Sequence, residues 1–516
     1  MRAIKKQSLE SLPDDPDKLK SIIMKLSSRV AALEEYVLLG RAKKYGTSSE
    51  KSVDQREMLN EAELTVVAEE VLADQDAERE AQSTTVLDKP KKKAGRKPLP
   101  AELPRIRVEH TMPDAGNICD CGCQRLEIGE EISEQVDIIP AKVQVIANVR
   151  KKYACQHCET GVITAALPPQ PIPKSNASPG LLAHVATAKY QDGLPLHRQE
   201  AMLNRAGVDI PRNTLANWMI KSGELIQPLI NLLEDKLLAY PVMHCDETTL
   251  QVLKEPDKHA SQTSYMWVRV GGPSAQPIRL FHYADSRRGE VASALLADYQ
   301  GYLQTDDYAG YNSACSENLI TQLGCWAHAR RKFIDAQKAA SSKTKKTGKA
   351  DIAINLIGKL YAVEKQIKAL SADEKHIVRQ QQAQPILTNI RQWLDKTLHS
   401  TLPKGLLGKA LSYLEKNWAK LTVYTQDGRL SIDNNPAENA IRPFVIGRKN
   451  WLFSASVRGA KSSANLYSLI ETAKANGLEP YAYLRHVFKE LPKAASVEDV
   501  EALLPWNVNT LTIAIN

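Results

Sequence analysis

The sequence predicts a multi-domain protein, mainly α plus α/β, and three observations predict it. A length of 516 residues calls for several domains. Five of the eight cysteines fall between Cys119 and Cys158, which fits a small metal-binding β domain in a reducing compartment better than a disulfide framework. The hydrophobic period is helical over about 176–222, turns to short strand-like runs from about 238, and becomes helical again from about 335. The apolar fraction of 43% suffices for ordinary cores, and a net charge of +8 carried on clustered basic residues favours a polyanionic partner. The opening residues Met1 to Gln7 lack the apolar run of a signal peptide. No apolar run reaches transmembrane length. The expectation is a cytoplasmic protein without membrane contact.

Residues 1–51 are expected to form an N-terminal coiled-coil element. Over 17–39, Leu19, Ile23, Leu26, Val30, Leu33 and Val37 alternate three- and four-residue steps, the a/d rhythm of a zipper. A homo-oligomer, in the first instance a dimer, is the partner this implies; a helix packed on its own chain is the alternative. Residues 52–109 are an acidic spacer followed by a basic linker. Its Lys89–Pro98 run carries Arg96 and Lys97 in a Gly-Arg-Lys-Pro segment, which can lie in an A·T-rich minor groove or simply solubilise the linker. Residues 110–165 are expected to bind one zinc ion. Cys155 and Cys158 make a C-x-x-C knuckle, and two of Cys119, Cys121 and Cys123 complete a tetrahedral thiolate set. Val143, Val145, Ala147 and Val149 recur at every second position between the two groups, which predicts a strand there.

Residues 166–235 are expected to be a helix-turn-helix-like DNA-binding domain. A helix over about His197–Arg205, a turn at Ala206-Gly207-Val208 and a third helix opening on Pro211-Arg212-Asn213-Thr214 give that outline. Arg212 and Asn213 are its candidate DNA contacts. Residues 236–475 read as α/β, with a helical insertion over 335–430. Pro241–Cys245 predicts a short buried strand ending at Asp246. Ser264–Val270 and Ile278–Tyr283 predict the next two strands, Tyr302–Thr305 a fourth ending at Asp306, and Leu319–Leu323 a fifth. Carboxylates at strand ends occupy the usual site position of such sheets. Residues 476–516 are a C-terminal helical element.

Glu438 stands in the stretch Asp433-Asn434-Asn435-Pro436-Ala437-Glu438-Asn439. The plain reading makes Asn435 an N-cap and Glu438 its capping-box partner. The chemical reading makes Glu438 the third acidic site after Asp246 and Asp306, in a basic chain suited to divalent metal acting on phosphate. Both readings can hold, because a carboxylate in a helix's first turn can still face a metal.

Taken in order, these motifs resemble the transposases of insertion-sequence family sixty-six, which are DDE transposases. The resemblance runs from the zipper-like helix through the Cys cluster, Leu194–Gln199, His244–Thr248, Leu303–Asp306 and Cys325–Phe333. It is most specific over Asp433–Pro443, Gly447–Asn450 and Tyr467–Glu471. It implies an RNase H-like catalytic domain with Asp246, Asp306 and Glu438 as the acidic triad. It also implies two Mg²⁺ ions (or Mn²⁺) held by those residues, and phosphoryl transfer on DNA element ends and target DNA. Accessory proteins of the element are possible partners, and a nucleoid-associated location follows. His328, Arg330, Arg331, Arg442, Arg448 and Lys449 are the candidate phosphate contacts. Asn439 stands where the family more often has Arg, and Asp307 where Gly is common. The competing expectation is a non-catalytic zinc and helix-turn-helix regulator derived from a transposase.

Overall fold

The computed structural model describes residues 15–17, 20, 30, 143–154, 162–339 and 348–509. The expected zipper over 17–39, apart from three residues, lies outside them. So do Arg96, Lys97, Cys119, Cys121, Cys123, Cys155 and Cys158. Residues 79–149 form one unit, and 1–78 with 150–516 form the other. The first unit is described only over 143–149, which has no regular secondary structure. The strand predicted from Val143 to Val149 is therefore corrected. Val145 and Val149 are exposed, and alternation without a paired neighbour leaves backbone groups to water rather than to a ladder. The pairing comes later, where strand β1 (Lys152–Ala154) runs antiparallel to β2 (Val162–Thr164). These two strands flank Cys155 and Cys158 in sequence.

Four helices follow: α1 (Pro179–Tyr190), α2 (Leu196–Arg205), α3 (Arg212–Leu225) and α4 (Gln227–Leu238). Ser178 starts α1 by accepting from Leu181 N at 3.1 Å, with proline next. The expected turn between α2 and α3 needs Gly207, whose φ of +84° suits glycine. The buried sides of these helices, Leu182, Val185, Leu215, Trp218, Leu229 and Leu233 among them, join the core of the sheet that follows. There is no break in packing at residue 235.

The sheet contains β3 (Val242–Lys254), β4 (Thr263–Gly271), β5 (Ile278–Ala284), β6 (Gly301–Gln304) and β7 (Ile320–Leu323). Their spatial order is β5-β4-β3-β6-β7. The first three form an antiparallel meander, whereas β6 is parallel to β3 and β7 to β6. Helices α5 (Gly289–Leu295) and α6 (Asn312–Glu317) sit in the crossovers. The four later strands lie close to where the sequence put them. The first runs eight residues further than expected, to Lys254 instead of Asp246. It is the central strand, buried on both faces from Val242 to Cys245, so its start reads as a short apolar run. Beyond Asp246 its parallel pairing to β6 has ended, but antiparallel pairing to β4 continues as far as Gln251 opposite Thr263.

The expected insertion is a helical unit with its own core. It comprises α7 (Trp326–Ala339), α8 (Lys349–Gln366), α9 (Ala372–Val378), α10 (Gln384–Leu398) and α11 (Leu406–Thr422). Phe333, Leu360, Leu387, Leu394, Leu411 and Leu414 pack between them. The predicted capping box opens α9: Glu374 N donates to Ser371 Oγ, and Ser371 N to Glu374 Oε2 at 2.8 Å. The chain then returns to the sheet through α12 (Asn435–Trp451), β8 (Ser454–Ser456) and α13 (Val457–Ala475). Strand β8 pairs in parallel with the far end of β3, and α13 packs on β5, where Phe281 N donates to Ser468 Oγ at 2.7 Å. Helices α14 (Pro480–Glu490) and α15 (Val497–Glu501) close the chain. No helix among the described residues is long and apolar enough to cross a membrane.

Candidate active site

Parallel pairing of β3 with β6 ends at His244 opposite Gln304. Asp246 and Asp306 each lie two residues beyond that last pair, at the carboxy edge where open α/β sheets hold their ligands. Glu438 arrives from the first turn of α12. Its placement depends on Asn434. That side chain lies 3.2 Å from His244 Nδ1 through Oδ1 and donates to the Cys245 carbonyl at 2.8 Å through Nδ2. Its backbone N donates to Cys325 Sγ at 3.3 Å. One amide thus ties β3, the start of α7 and the start of α12. Beside it, Asp433 accepts from Tyr361 OH at 2.9 Å and from Asn435 N at 3.2 Å, which joins the insertion to the same corner.

The capping-box reading of Glu438 is corrected. The N-cap is Asn434, it makes no side-chain cap bond, and Asn435 is already helical. Glu438 therefore sits one residue past the box position. Its Oε1 instead faces His328 Nδ1 at 3.8 Å. Burial, with Arg331 and Lys332 adding to it, lowers His328 to about 4, so the ring is neutral at pH 7. Cys325 Sγ, a His328 nitrogen and a Glu438 oxygen lie within 4.8 Å of one another. Burial, followed by the charges of Asp433 and Glu438, pushes the Cys325 thiol well up, so it is a protonated neighbour rather than a thiolate ligand.

Electrostatics mark the three carboxylates as one site. Burial raises Asp246 well above the ordinary value of 3.8, and Glu247, Glu438 and Asp306 raise it further. Burial also raises Asp306, against the opposing effects of the Tyr308 backbone N–H and Arg287. Asp306 and Asp307 are distinguished by their partners. Asp306 Oδ1 accepts from Tyr308 N at 3.0 Å, and its Oδ2 lies 3.6 Å from Arg287. Asp307 turns toward the insertion, 3.2 Å from Lys416 and 4.0 Å from Lys420 on α11.

Sequence reasoning missed the support around Asp306. The Glu247 side chain is 1% exposed; it accepts from Arg287 Nε at 2.5 Å and from Tyr311 OH at 2.6 Å. Arg287 also stacks 3.8 Å above the Tyr308 ring. The adjacency of Glu247 to Asp246 was visible, but its partners lie 40 and 64 residues away in sequence, and no local spacing signals them.

The basic candidates divide. Arg212 and Asn213 are exposed at the start of α3, and Lys449 is exposed on α12. Arg331 and Arg442 are half-buried. Arg330 is corrected as a phosphate contact, because it is 4% exposed in the wall of the insertion, where its charge acts on Tyr361. Arg448 donates through Nη1 to Thr248 Oγ1 at 3.0 Å and Thr249 Oγ1 at 2.9 Å, which ties the end of α12 to β3.

The donor set suits a hard divalent cation. Carboxylate oxygens are Mg²⁺ ligands, and Asp246 is desolvated among like charges that such a cation would balance.

Comparison with known proteins identifies the chain's family. Residues 174–462 match the model of the Transposase IS66 family, and 468–506 match the IS66 C-terminal element. Residues 117–159 match the zinc-finger binding domain of transposase IS66, and 32–108 match Transposase C of IS166 homeodomain. Three proteins of Sinorhizobium fredii (strain NBRC 101917 / NGR234) are similar over nearly the whole length. The uncharacterized protein y4qI is 30% identical over 98% of this chain and 94% of its own. The uncharacterized protein y4hP is 32% identical over 92% and 88%, and the uncharacterized protein y4jD 28% identical over 96% and 97%. The chain belongs to the IS66 transposase family and carries that family's zinc-finger and C-terminal segments.

Proposed function

We propose that this member of the family is an active DDE transposase: it binds the ends of an insertion sequence and catalyses Mg²⁺-dependent strand cleavage and strand transfer. The observation that carries the reading is the desolvation of Asp246 beside Asp306 and Glu438 just past the point where the parallel pairing of β3 and β6 ends. The order β5-β4-β3-β6-β7, an antiparallel meander followed by two parallel strands, supports an RNase H-like domain interrupted by the helical insertion. Asp246, Asp306 and Glu438 would together hold two Mg²⁺ ions. When bound, such a pair activates an oxygen nucleophile and stabilises the leaving oxygen of an in-line displacement.

In the first step water attacks a phosphodiester at the element end and releases a 3′-OH. In the second that hydroxyl attacks a target phosphodiester, which joins the element's 3′ end to the target's 5′ phosphate and releases the target's 3′-OH, and no covalent enzyme intermediate forms. The residues of this chain orient and compensate. Asn434 positions the helix that presents Glu438, and Arg287 with Tyr308 positions Asp306. Neutral His328 flanks Glu438 without competing for a cation. Arg212, Asn213 and the basic linker at Arg96 and Lys97 would hold end DNA, while Arg331, Arg442 and Lys449 would hold phosphates near the site. Two of Cys119, Cys121 and Cys123 with Cys155 and Cys158 would bind one structural zinc, and the zipper over 17–39 would pair two copies. A DNA substrate places the protein in the cytoplasm with the nucleoid.

The test is incubation of the full chain with DNA carrying the element's ends and Mg²⁺. Specific nicking at the ends and joining to a second DNA are expected. Binding without cutting would instead establish a non-catalytic regulator.

A further inference from the structure

The carboxy end of α12 carries a feature that the carboxylates do not use. Leu452 has φ +64° and ψ −49°, a region that side-chain-bearing residues rarely occupy. Phe453 N donates to the Trp451 carbonyl at 2.9 Å, so the chain makes a γ-turn of the rare, strained hand centred on Leu452. Strained backbone of this kind clusters at functional sites, and here it presents apolar side chains outward: Leu452 is 63% exposed and Phe453 43% exposed. The turn is held from both sides. Leu452 N donates to the Arg448 carbonyl at 2.7 Å, and Ser454 next to it pairs with Val252 of β3. Cations flank it in sequence and register: Lys449 before the turn, Lys254 opposite Ser456 in the β3–β8 register, and after it Arg458, which also donates to Glu224 Oε1 at 3.1 and 2.7 Å. All three are exposed.

An apolar pair on a rigid, strained turn, flanked by cations, matches one occupant by charge and shape. We infer that Leu452 and Phe453 form a wedge that enters a base step of the DNA duplex, while Lys449, Lys254 and Arg458 hold the flanking phosphates. Apolar wedges used in this way unstack a step and bend the duplex around the protein. The wedge lies fourteen residues along α12 from Glu438, about 20 Å at the helical rise. That is the length of roughly six base pairs, so the distorted step is expected about that far from the scissile phosphate. The inference rests on the proposed DNA substrate and adds a contact which that reading does not contain.

The experiment compares the full chain with a Leu452→Ser/Phe453→Ser double variant and with Lys449→Ala. The probes are a 30-base-pair duplex carrying 2-aminopurine at one step and the same duplex with two mismatched pairs at that step. The parent should raise 2-aminopurine fluorescence and bind the mismatched duplex more tightly, because its unstacking is already done. The double variant should bind the paired duplex roughly tenfold more weakly, lose the preference for mismatch, and keep the parent's dependence of affinity on salt. Lys449→Ala should instead lower the salt dependence by about one ion and keep the mismatch preference. Both wedge residues are exposed, so an unchanged melting temperature checks that the double variant folds. Parent-like affinity and fluorescence in the double variant would overturn the wedge. So would a change in oligomer size by light scattering with DNA binding intact, since that makes the turn a protein contact. Failure of the parent itself to bind either duplex would overturn the DNA-substrate reading instead.

Discussion

Asp246 sits at a place that opposes its charge. Its raised pKa means that the neutral form is favoured in the fold. The sign of the consequence follows from linkage. The stability contributed by a group raised above its unfolded value is fully present below that value, here 3.8, and is lost as pH rises through the folded value. Asp306 and Glu247 are raised in the same direction, with burial the main cause in each. Without divalent metal, the melting temperature should therefore fall as pH rises above the ordinary carboxylate values of 3.8 and 4.5. Added Mg²⁺ should raise it more at the upper pH, where the carboxylates are ionised and free to bind. Asp246→Asn should flatten both effects. A melting temperature indifferent to Mg²⁺ at neutral pH would contradict the assignment of these oxygens to a metal. At this scale the sequence was a partial guide. Asp246, Asp306 and Glu438 stand out as isolated acids in a basic chain. The choice between Asp306 and Asp307 needed the lysines of α11, more than 100 residues further on, and the buried state of Arg330 needed the packing of the insertion.

Among the elements, β3 and α12 do the positioning, and a buried arginine secures the insertion that connects them in sequence. Arg379 is 2% exposed. It donates to Glu364 at 2.9 and 2.7 Å and to the carbonyls of Tyr424, Asp427 and Leu430, each at 2.9 Å. The segment it holds runs directly into Asp433 and α12. Arg379→Leu leaves Glu364 half-buried without this partner and three carbonyls unsatisfied, which should cost about 3–5 kcal/mol. Chemical denaturation should show this loss, and DNA cleavage should fall with it because Glu438 is no longer held. An unchanged midpoint would show that the knot is not structural. Element identity was legible wherever a period was long or a signal chemical. The strands β4 to β7, the Gly207 turn and the Ser371 capping box are such cases. It failed where pairing decides. Valines at alternate positions from Val143 made no strand for want of a neighbour, and β3 outran its apolar start because β4 and β8 continue beside it.

The whole molecule joins what the sequence suggested as separate parts. Helices α1 to α4 share one core with the sheet, α13 and α14, so the helix-turn-helix outline is packed onto the same sheet that carries Asp246 and Asp306. The cysteine segment is a different case. It offers little apolar sequence of its own, and metal–thiolate bonds would supply its folding energy. Purified protein should contain one zinc per chain, and Cys155→Ser should lose it and unfold that segment while α1 to α15 stay folded. A zinc-free protein with normal folding would refute this. The central claim is that Asp246, Asp306 and Glu438 act together on a phosphodiester, and strand cleavage of end DNA by the full chain tests it most directly. Three carboxylates set three negative charges against four positive ones, so a neutral amide at any of them weakens cation binding. Glu438→Gln, Asp246→Asn and Asp306→Asn should each melt near the parent, still bind end DNA, and cut at least about 10²–10³-fold more slowly. Asp307→Asn should cut at close to the parent rate. Parent-like cutting by Glu438→Gln would contradict the account and leave Glu438 as an ordinary residue of the first turn of α12.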